Sequence, residues 1–373
     1  MMTNEDYLQE YIQTRGLSKS REYSMRTVLN NYSKHQNLTL DELILEADNE
    51  EEQGIRWKRR TLKRRLTSYM NYLKNNYLLS SANAYLNIVI SFYNHHEITV
   101  GKLPVINQKN SNLSAPIRYQ DLPNKDIIRE AYNIAEPLMR ALLLFLSSTG
   151  LSKVDALSLT INDYLQATYP YHETEDIIQA LDKMKFNEDI VPTWTNRRSK
   201  TNKYYITFNT PEATDEINCY LISRLLTKGL KEDDKLFKIS THHYTRKFER
   251  LNDTLGLGKA GTYNRLRGHM LRQFHASSLS KAGMDMYRIN ILQGKSNNSV
   301  DEVYFFEDEE KLREDYINCM DALLIFTDVK EITKYSPEYQ AVLDENRLLK
   351  ENLDKINRIE GDIERLKSWY VVD

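Results

Sequence analysis

Between residues 101 and 122 the chain reads GKLPVINQKNSNLSAPIRYQDL, a stretch without apolar periodicity that holds a glycine and two prolines. Such a segment carries neither helix nor strand through it and reads as a linker. On both sides apolar residues recur at spacings of three and four, the signature of amphipathic helices. The chain is therefore expected to form a helical domain over residues 1–100, a linker over 101–122 and a second domain over 123–330. A length of 373 residues also exceeds what one compact core commonly holds. Breakers are scarce, with 12 Gly and 8 Pro, so the fold class expected is mainly α. Helices are expected near 4–14, 20–34, 40–47, 57–77 and 81–95, and then near 124–135 and 137–148. A short β-rich stretch follows at 190–209, giving the second domain an α+β character with a small β-hairpin sheet. Further helices are expected near 211–228, 241–256, 269–282, 285–293, 297–306 and 308–324.

The tail over 338–373 follows a different rule. Val342, Leu349, Ile356, Ile363 and Tyr370 recur every seven residues, with Glu345, Asn352, Ile359 and Leu366 at the complementary position. This heptad pattern predicts a coiled-coil-like C-terminal helix that packs on a partner chain or on the body, with Asn352 favouring one register.

Net charge is −2, yet the charge is strongly separated. Residues 56–65, RWKRRTLKRR, are basic at Arg56, Lys58, Arg59, Arg60, Lys63, Arg64 and Arg65 and contain no acid. Residues 41–52, DELILEADNEEE, are acidic and contain no base. Local rather than net charge decides whether a surface attracts phosphates. The basic helix has no acidic partner four residues along, so a phosphate-contacting face is expected, the other reading being a solvated charged face. No apolar run reaches a membrane-span length. The MMTNEDYLQEY start has no signal-peptide pattern, so no membrane association is expected. Cys219 and Cys319 stand too far apart in sequence for a disulfide framework or zinc spacing, which fits a reducing cytoplasm.

The residues best suited to chemistry fall between 269 and 304. His269 and Arg272, in GHMLRQFHASSL, are three apart and share one face of a predicted helix. Lys295 follows in LQGKS, and Tyr304 in DEVYFF comes nine residues later. This order resembles the tyrosine recombinase (phage integrase) superfamily, most closely the integrases of archaeal viruses and proviruses. RRSKTNKYYITFNTPEA, residues 197–213, looks like the hairpin that carries the family's catalytic lysine, and STGLSKVDALSL, residues 148–159, looks like its first motif box.

The resemblance implies a helical core-binding domain, a catalytic domain, and DNA cleavage and rejoining through a 3′-phosphotyrosyl intermediate. Tyr304 would be the nucleophile. Arg272, with a planar fork, would bind phosphate oxygens. His269 would donate to the phosphate or manage the tyrosine proton, and Lys200 would protonate the departing 5′ oxygen, with Lys203 a competitor for that role and a solvated lysine the other reading. The cationic side chains supply the charge, so no metal or other cofactor is expected. The implied partners are double-stranded DNA at attachment sites and further copies of the chain, as a tetramer on two sites, in the cytoplasm of a prokaryotic cell near its nucleoid.

Two departures stand out. Where the first box has an arginine, this chain has Ser152 on direct alignment or Lys153 on a one-residue shift, with Asp155 matching the box's acid. Ser152 with Asp155 also reads as a helix-capping pair, which leaves Lys153 exposed. Arg197 or Arg198 could enter the site instead. Lys295 stands where the family has His or Trp. A non-catalytic DNA-binding relative is thus a second reading, and a strand-passing topoisomerase a more distant third.

Overall fold

The structure, a computed structural model, describes residues 4–104, 117–185, 187, 189–200, 203–295 and 308–326. The chain divides into two compact units, Met1–Pro116 and Ile117–Asp373.

The first unit consists of α1 (Asn4–Gln13), α2 (Lys19–Gln36), α3 (Leu40–Glu52), α4 (Thr61–Asn76) and α5 (Leu79–His95). The expected apolar stripes supply one core, in which Tyr11, Leu29, Tyr32, Leu66, Tyr69, Leu73, Phe92 and Tyr93 are fully enclosed. The buried hydroxyls of Tyr32 and Tyr93 lie 3.1 Å apart and satisfy each other.

Two boundaries differ from expectation for one physical reason. Helix α3 continues past 47 through the acidic run, where Glu50 and Glu51 have partners outside the helix. Glu50 accepts the backbone N–H groups of Thr61 at 2.7 Å and Leu62 at 3.4 Å, so a carboxylate from α3 caps the start of α4. Residues 57–59 are accordingly a separate 3₁₀ turn, and Arg60 is extended (φ −63°, ψ 138°).

The second unit contains α6 (Lys125–Ile134), α7 (Pro137–Thr149), α8 (Lys153–Ser158), α9 (Ile161–Thr168) and α10 (Ile177–Met184). Strands β1 (Thr193–Arg197) and β2 (Tyr204–Phe208) follow, then α11 (Pro211–Lys228) and α12 (Thr241–Thr254). The remainder is a minimal β3 (Lys259–Ala260) and β4 (Tyr263–Asn264), α13 (Gly268–Lys281), α14 (Met286–Leu292) and α15 (Glu309–Cys319). The strands form two antiparallel pairs. The described residues are thus mainly α with a small hairpin sheet.

Helix α7 is the hub. Every residue from Ala141 to Thr149 is buried, and α11 and α13 pack along it. In the hairpin, Thr193 faces Phe208 and Arg197 faces Tyr204. The bond from Arg198 N to Lys203 O, 2.9 Å, extends it by one step. Helix α15 returns to the hub: Leu312 and Tyr316 are buried, and the Tyr316 hydroxyl donates to Ser148 O at 3.0 Å. Beyond α15, Glu212 accepts the backbone N–H groups of Ile325 and Phe326, both at 2.8 Å, while Arg129 donates to Ile325 O at 2.7 Å.

Residues 117–122, expected as linker, belong to the second unit. They form a 3₁₀ turn at Tyr119–Asp121. Arg265 donates to Gln120 O at 2.9 Å, and the Lys281 ammonium lies 4.0 Å from the centre of the Tyr119 ring. Side chains from distant positions hold this segment, so it has no periodicity of its own. No helix among the described residues is long and apolar enough to cross a membrane. Most of the linker, the helix expected at 297–306, and the tail with Val342, Leu349, Ile356, Ile363 and Tyr370 lie outside the described residues.

Candidate functional site

The site begins at the N-terminus of α13. Arg267 is extended (φ −158°) and Gly268 opens the helix. Only glycine fits there, because a Cβ at 268 would stand 1.7 Å from the Tyr244 hydroxyl. That close approach sets His269 in the first turn, exposed to solvent, and Arg272 one turn further in, only 7% exposed.

Arg272 ties together three separated stretches. Its Nη1 donates to Gly150 O and its Nη2 to Gln293 O, both at 2.6 Å. Gln293 answers by donating to Arg272 O at 2.8 Å. Gly150 takes the left-handed conformation (φ 63°), and a Cβ there would stand 2.6 Å from His275 Nδ1. Arg198, at the end of the hairpin, donates Nη1 to Gly294 O. Two guanidinium groups thus rest on the consecutive carbonyls of residues 293 and 294, and Lys295 follows at once.

Asp155 is an acid beside Arg272. Its Oδ1 accepts from Ser199 N at 3.0 Å and Ser199 Oγ at 2.6 Å, and its Oδ2 accepts from Ser152 Oγ at 2.7 Å. Ser152 Oγ also accepts the Asp155 N–H at 3.3 Å. The capping reading of Ser152 is therefore the one observed, and its hydroxyl is committed to α8.

Several cations share a partly dry space. Although His269 is open to solvent on one side, partial burial, then Arg267, Arg272 and Lys295, lower it from the ordinary imidazole value. Burial, then Arg272 and Arg198, lower Lys295, and burial lowers Arg272 and Arg267. Fully buried His275 is driven down to about 3 by desolvation, with Arg272 and Lys295 adding to it. Desolvation leads each of these shifts, and neighbouring cations add to it at His269, Lys295, His275 and Arg272. The α13 N-terminus adds its own positive end.

Two cavities flank His269. One, about 470 Å³, is lined by Arg118, Tyr119, His269, Arg272, Gln293 and Lys295 among others. The second, about 440 Å³, is lined by Lys153, Tyr244, Lys259, Tyr263, Arg267 and His269 among others. Lys153 and His269 therefore line the same second cavity, with the Lys153 ammonium 5.6 Å from the centre of the Tyr244 ring. No group of three or more His, Cys, Asp or Glu among the described residues is placed to hold a metal ion.

Similarity to known proteins is confined to solved structures. No protein-family model matches the chain, and no curated protein matches it. The XerH site-specific recombinase bound to palindromic difH substrate, a post-cleavage complex, is similar at 16% identity and a TM-score of 0.48, over 83% of this chain and 93% of that one. The Tn1549 transposon integrase in complex with transposon right-end DNA is similar at 14% identity and 0.48, over 84% and 98%. A lambda integrase dimer bound to a COC′ core site is similar at 12% identity and 0.43, over 83% and 99%. Likeness of this degree does not transfer an activity, which has to be argued from the residues.

Of the expected site residues, His269, Arg272, Lys295 and Arg198 come together. Arg197 does not join them: its guanidinium lies 5.4 Å from the centre of the Tyr204 ring on the exposed side of the hairpin. Lys200 is exposed in the hairpin turn, one residue past the Ser199 that Asp155 holds. Tyr304 lies outside the described residues. Arg118, Arg267 and Gln293 were not foreseen. Arg267 had a signal, the basic residue directly before Gly268–His269. Arg118 had none, sitting in a stretch that reads as linker.

In the first unit the basic run splits. Arg60 pairs with Glu51 at 3.0 Å, and Arg65 takes both carboxylate oxygens of Glu46, one at 3.0 Å. These are the acids missing from the helix itself, supplied across space by α3, so the expectation of an unneutralised run fails at Arg60 and Arg65. Arg56, Lys58, Arg59 and Arg64 are exposed and Lys63 is half-buried.

Proposed function

We propose that this chain is a site-specific DNA recombinase of the tyrosine type, one that integrates or excises a mobile element. The carrying observation is the convergence of Arg272, Arg198, His269 and Lys295 around one poorly neutralised space, with Gly150 of the first box bonded directly to Arg272. A phosphodiester resists attack because its oxygens carry negative charge. Preset cationic donors remove that obstacle and hold the charge of the pentavalent transition state.

In the proposed step the Tyr304 oxygen forms a bond to phosphorus while the bond from phosphorus to the 5′ oxygen breaks. The tyrosine proton passes to His269 as general base. Lys200 gives a proton to the departing 5′ oxygen. The products are a 3′-phosphotyrosyl linkage and a 5′-hydroxyl, and reversal of the same step rejoins DNA without an external energy source. Lys153 lines the flank of His269 as a further phosphate contact. Arg56, Lys58, Arg59, Lys63 and Arg64 would follow the duplex backbone. The working assembly would be a tetramer on two attachment sites in a prokaryotic cell.

The test is covalent capture. Nicked duplexes selected by the full chain from a random pool should yield a protein–DNA adduct that mass mapping assigns to Tyr304. If Tyr304→Phe trapped as much adduct as the parent, the reading would be wrong. One observation favours a second reading, a DNA-binding relative that does not cut: the first-box position holds a neutral serine committed to capping α8. That reading predicts salt-sensitive binding with no cleavage.

A further inference from the structure

The serine at the first-box position leaves one place in the site without a cation, and a different element reaches into it. Asp155 accepts from Ser152 with one oxygen and from Ser199 N and Oγ with the other. One carboxylate therefore joins the vacated loop to the hairpin turn immediately after Arg198. The backbone bond from Arg198 N to Lys203 O fixes the register on the other side. Arg198 then lays Nη1 on Gly294 O, next to the Gln293 carbonyl that Arg272 holds.

A guanidinium carries five N–H donors in one plane. Among the described residues the Arg198 side chain spends one donor on Gly294, and Arg272 spends two, on Gly150 and Gln293. Anchoring of this kind fixes the plane of each fork while leaving donors for an anion. Lys153, the first-box alternative, sits instead beside Tyr244 in the second cavity.

We propose that Arg198 supplies the second guanidinium fork of the site, gripping the scissile phosphate together with Arg272 in place of the arginine that the first box lacks. This rests on the reading of the site as a phosphodiester centre. Asp155 acts here as a positioning residue, through the turn it holds.

The test has two arms. In the first, the full chain with nitrogen-15-labelled arginine side chains is titrated with inorganic phosphate. The Nε–H signals of Arg198 and Arg272, assigned with Arg198→Lys and Arg272→Lys, are expected to move with one common Kd, while that of Arg197 stays. Movement of Arg272 alone would overturn the proposal and leave the site standing. Movement of neither would remove both the proposal and the proposed function.

The second arm uses the adduct assay on the selected duplexes. Arg198→Ala should lower the rate of adduct formation by about 100-fold on the natural phosphodiester. A large part of that loss should return on a duplex with a methylphosphonate at the cleaved position, which carries no charge to neutralise. A role confined to holding Gly294 would give equal losses on both substrates. Arg198→Lys, which keeps the charge but not the fork, should fall between, with an unchanged Tm showing that the hairpin has folded.

Discussion

Both units gather arginine and lysine, and they treat that charge in opposite ways. In the first unit the deepest members of the basic run, Arg60 and Arg65, are met by Glu51 and Glu46 from the neighbouring helix, and only the outer members face solvent. In the second unit Arg198, Arg272, His269 and Lys295 come together, and the nearby Asp155 already spends its oxygens on Ser199 and Ser152. The first arrangement holds helices in place. The second keeps positive charge short of partners in a partly dry space, which costs stability and is repaid when an anion binds. Density of charge along the chain does not distinguish the two cases. The presence or absence of an acid across space does.

The sharpest way to break this contrast is Arg272→Ala. Adduct formation should fall by about 100- to 1,000-fold. Stability should fall as well, because Gly150 O and Gln293 O lose their shared donor, each buried unpaired group costing about 1–3 kcal/mol. Activity retained in a folded Arg272→Ala protein would mean that the cluster is structural, like its counterpart in the first unit.

A second probe is pH. His275 is held at about 3 in the folded protein and near 6.5 when unfolded. The unfolded chain therefore binds more protons between those values. The contribution of a neutral His275 is complete above about pH 6.5 and declines as pH falls toward 3, by at most about 1.4 kcal/mol per pH unit. His275→Asn should flatten that decline in urea titrations at stepped pH. An unchanged slope would place the acid sensitivity elsewhere.

Next in size is Gly268→Ala, which drives a methyl into the Tyr244 hydroxyl and should cost about 1–3 kcal/mol. That hydroxyl has no hydrogen-bond partner among the described residues, so Tyr244→Phe in the same chain should restore part of the loss in Tm. The smallest effects separate the two kinds of cation in the first unit. Arg59→Gln and Arg64→Gln should each reduce the salt slope of DNA affinity by about one. Arg65→Gln should leave the slope alone and cost about 1 kcal/mol or less in stability.

Much of this architecture was legible in the sequence, and the places where it was not have physical causes. Helices with a clear stripe, such as Lys125–Ile134 and Thr241–Thr254, were visible from periodicity. Helices α8, α9 and α10 were not, being six to eight residues long, too short to establish a period. Their starts are fixed instead by single polar caps at Ser152, Thr160 and Asp176. The spacing of His269 and Arg272 was readable because both lie on one helix. The roles of Arg198 and Asp155 were not, since they depend on hydrogen bonds across 44 positions. The pairing of Glu46 with Arg65 escaped for the same reason, spanning 19 positions.

The bond from Tyr316 to Ser148 crosses 168 residues of chain, and that distance is also a delay. A ribosome working at about 5–20 residues per second finishes the apolar end of α7 roughly 8–34 seconds before it makes the tyrosine that covers it. For that interval the Ser148 carbonyl waits for its tyrosine donor, although Gly150 already caps the helix and Thr207 bonds to Thr149 O sooner.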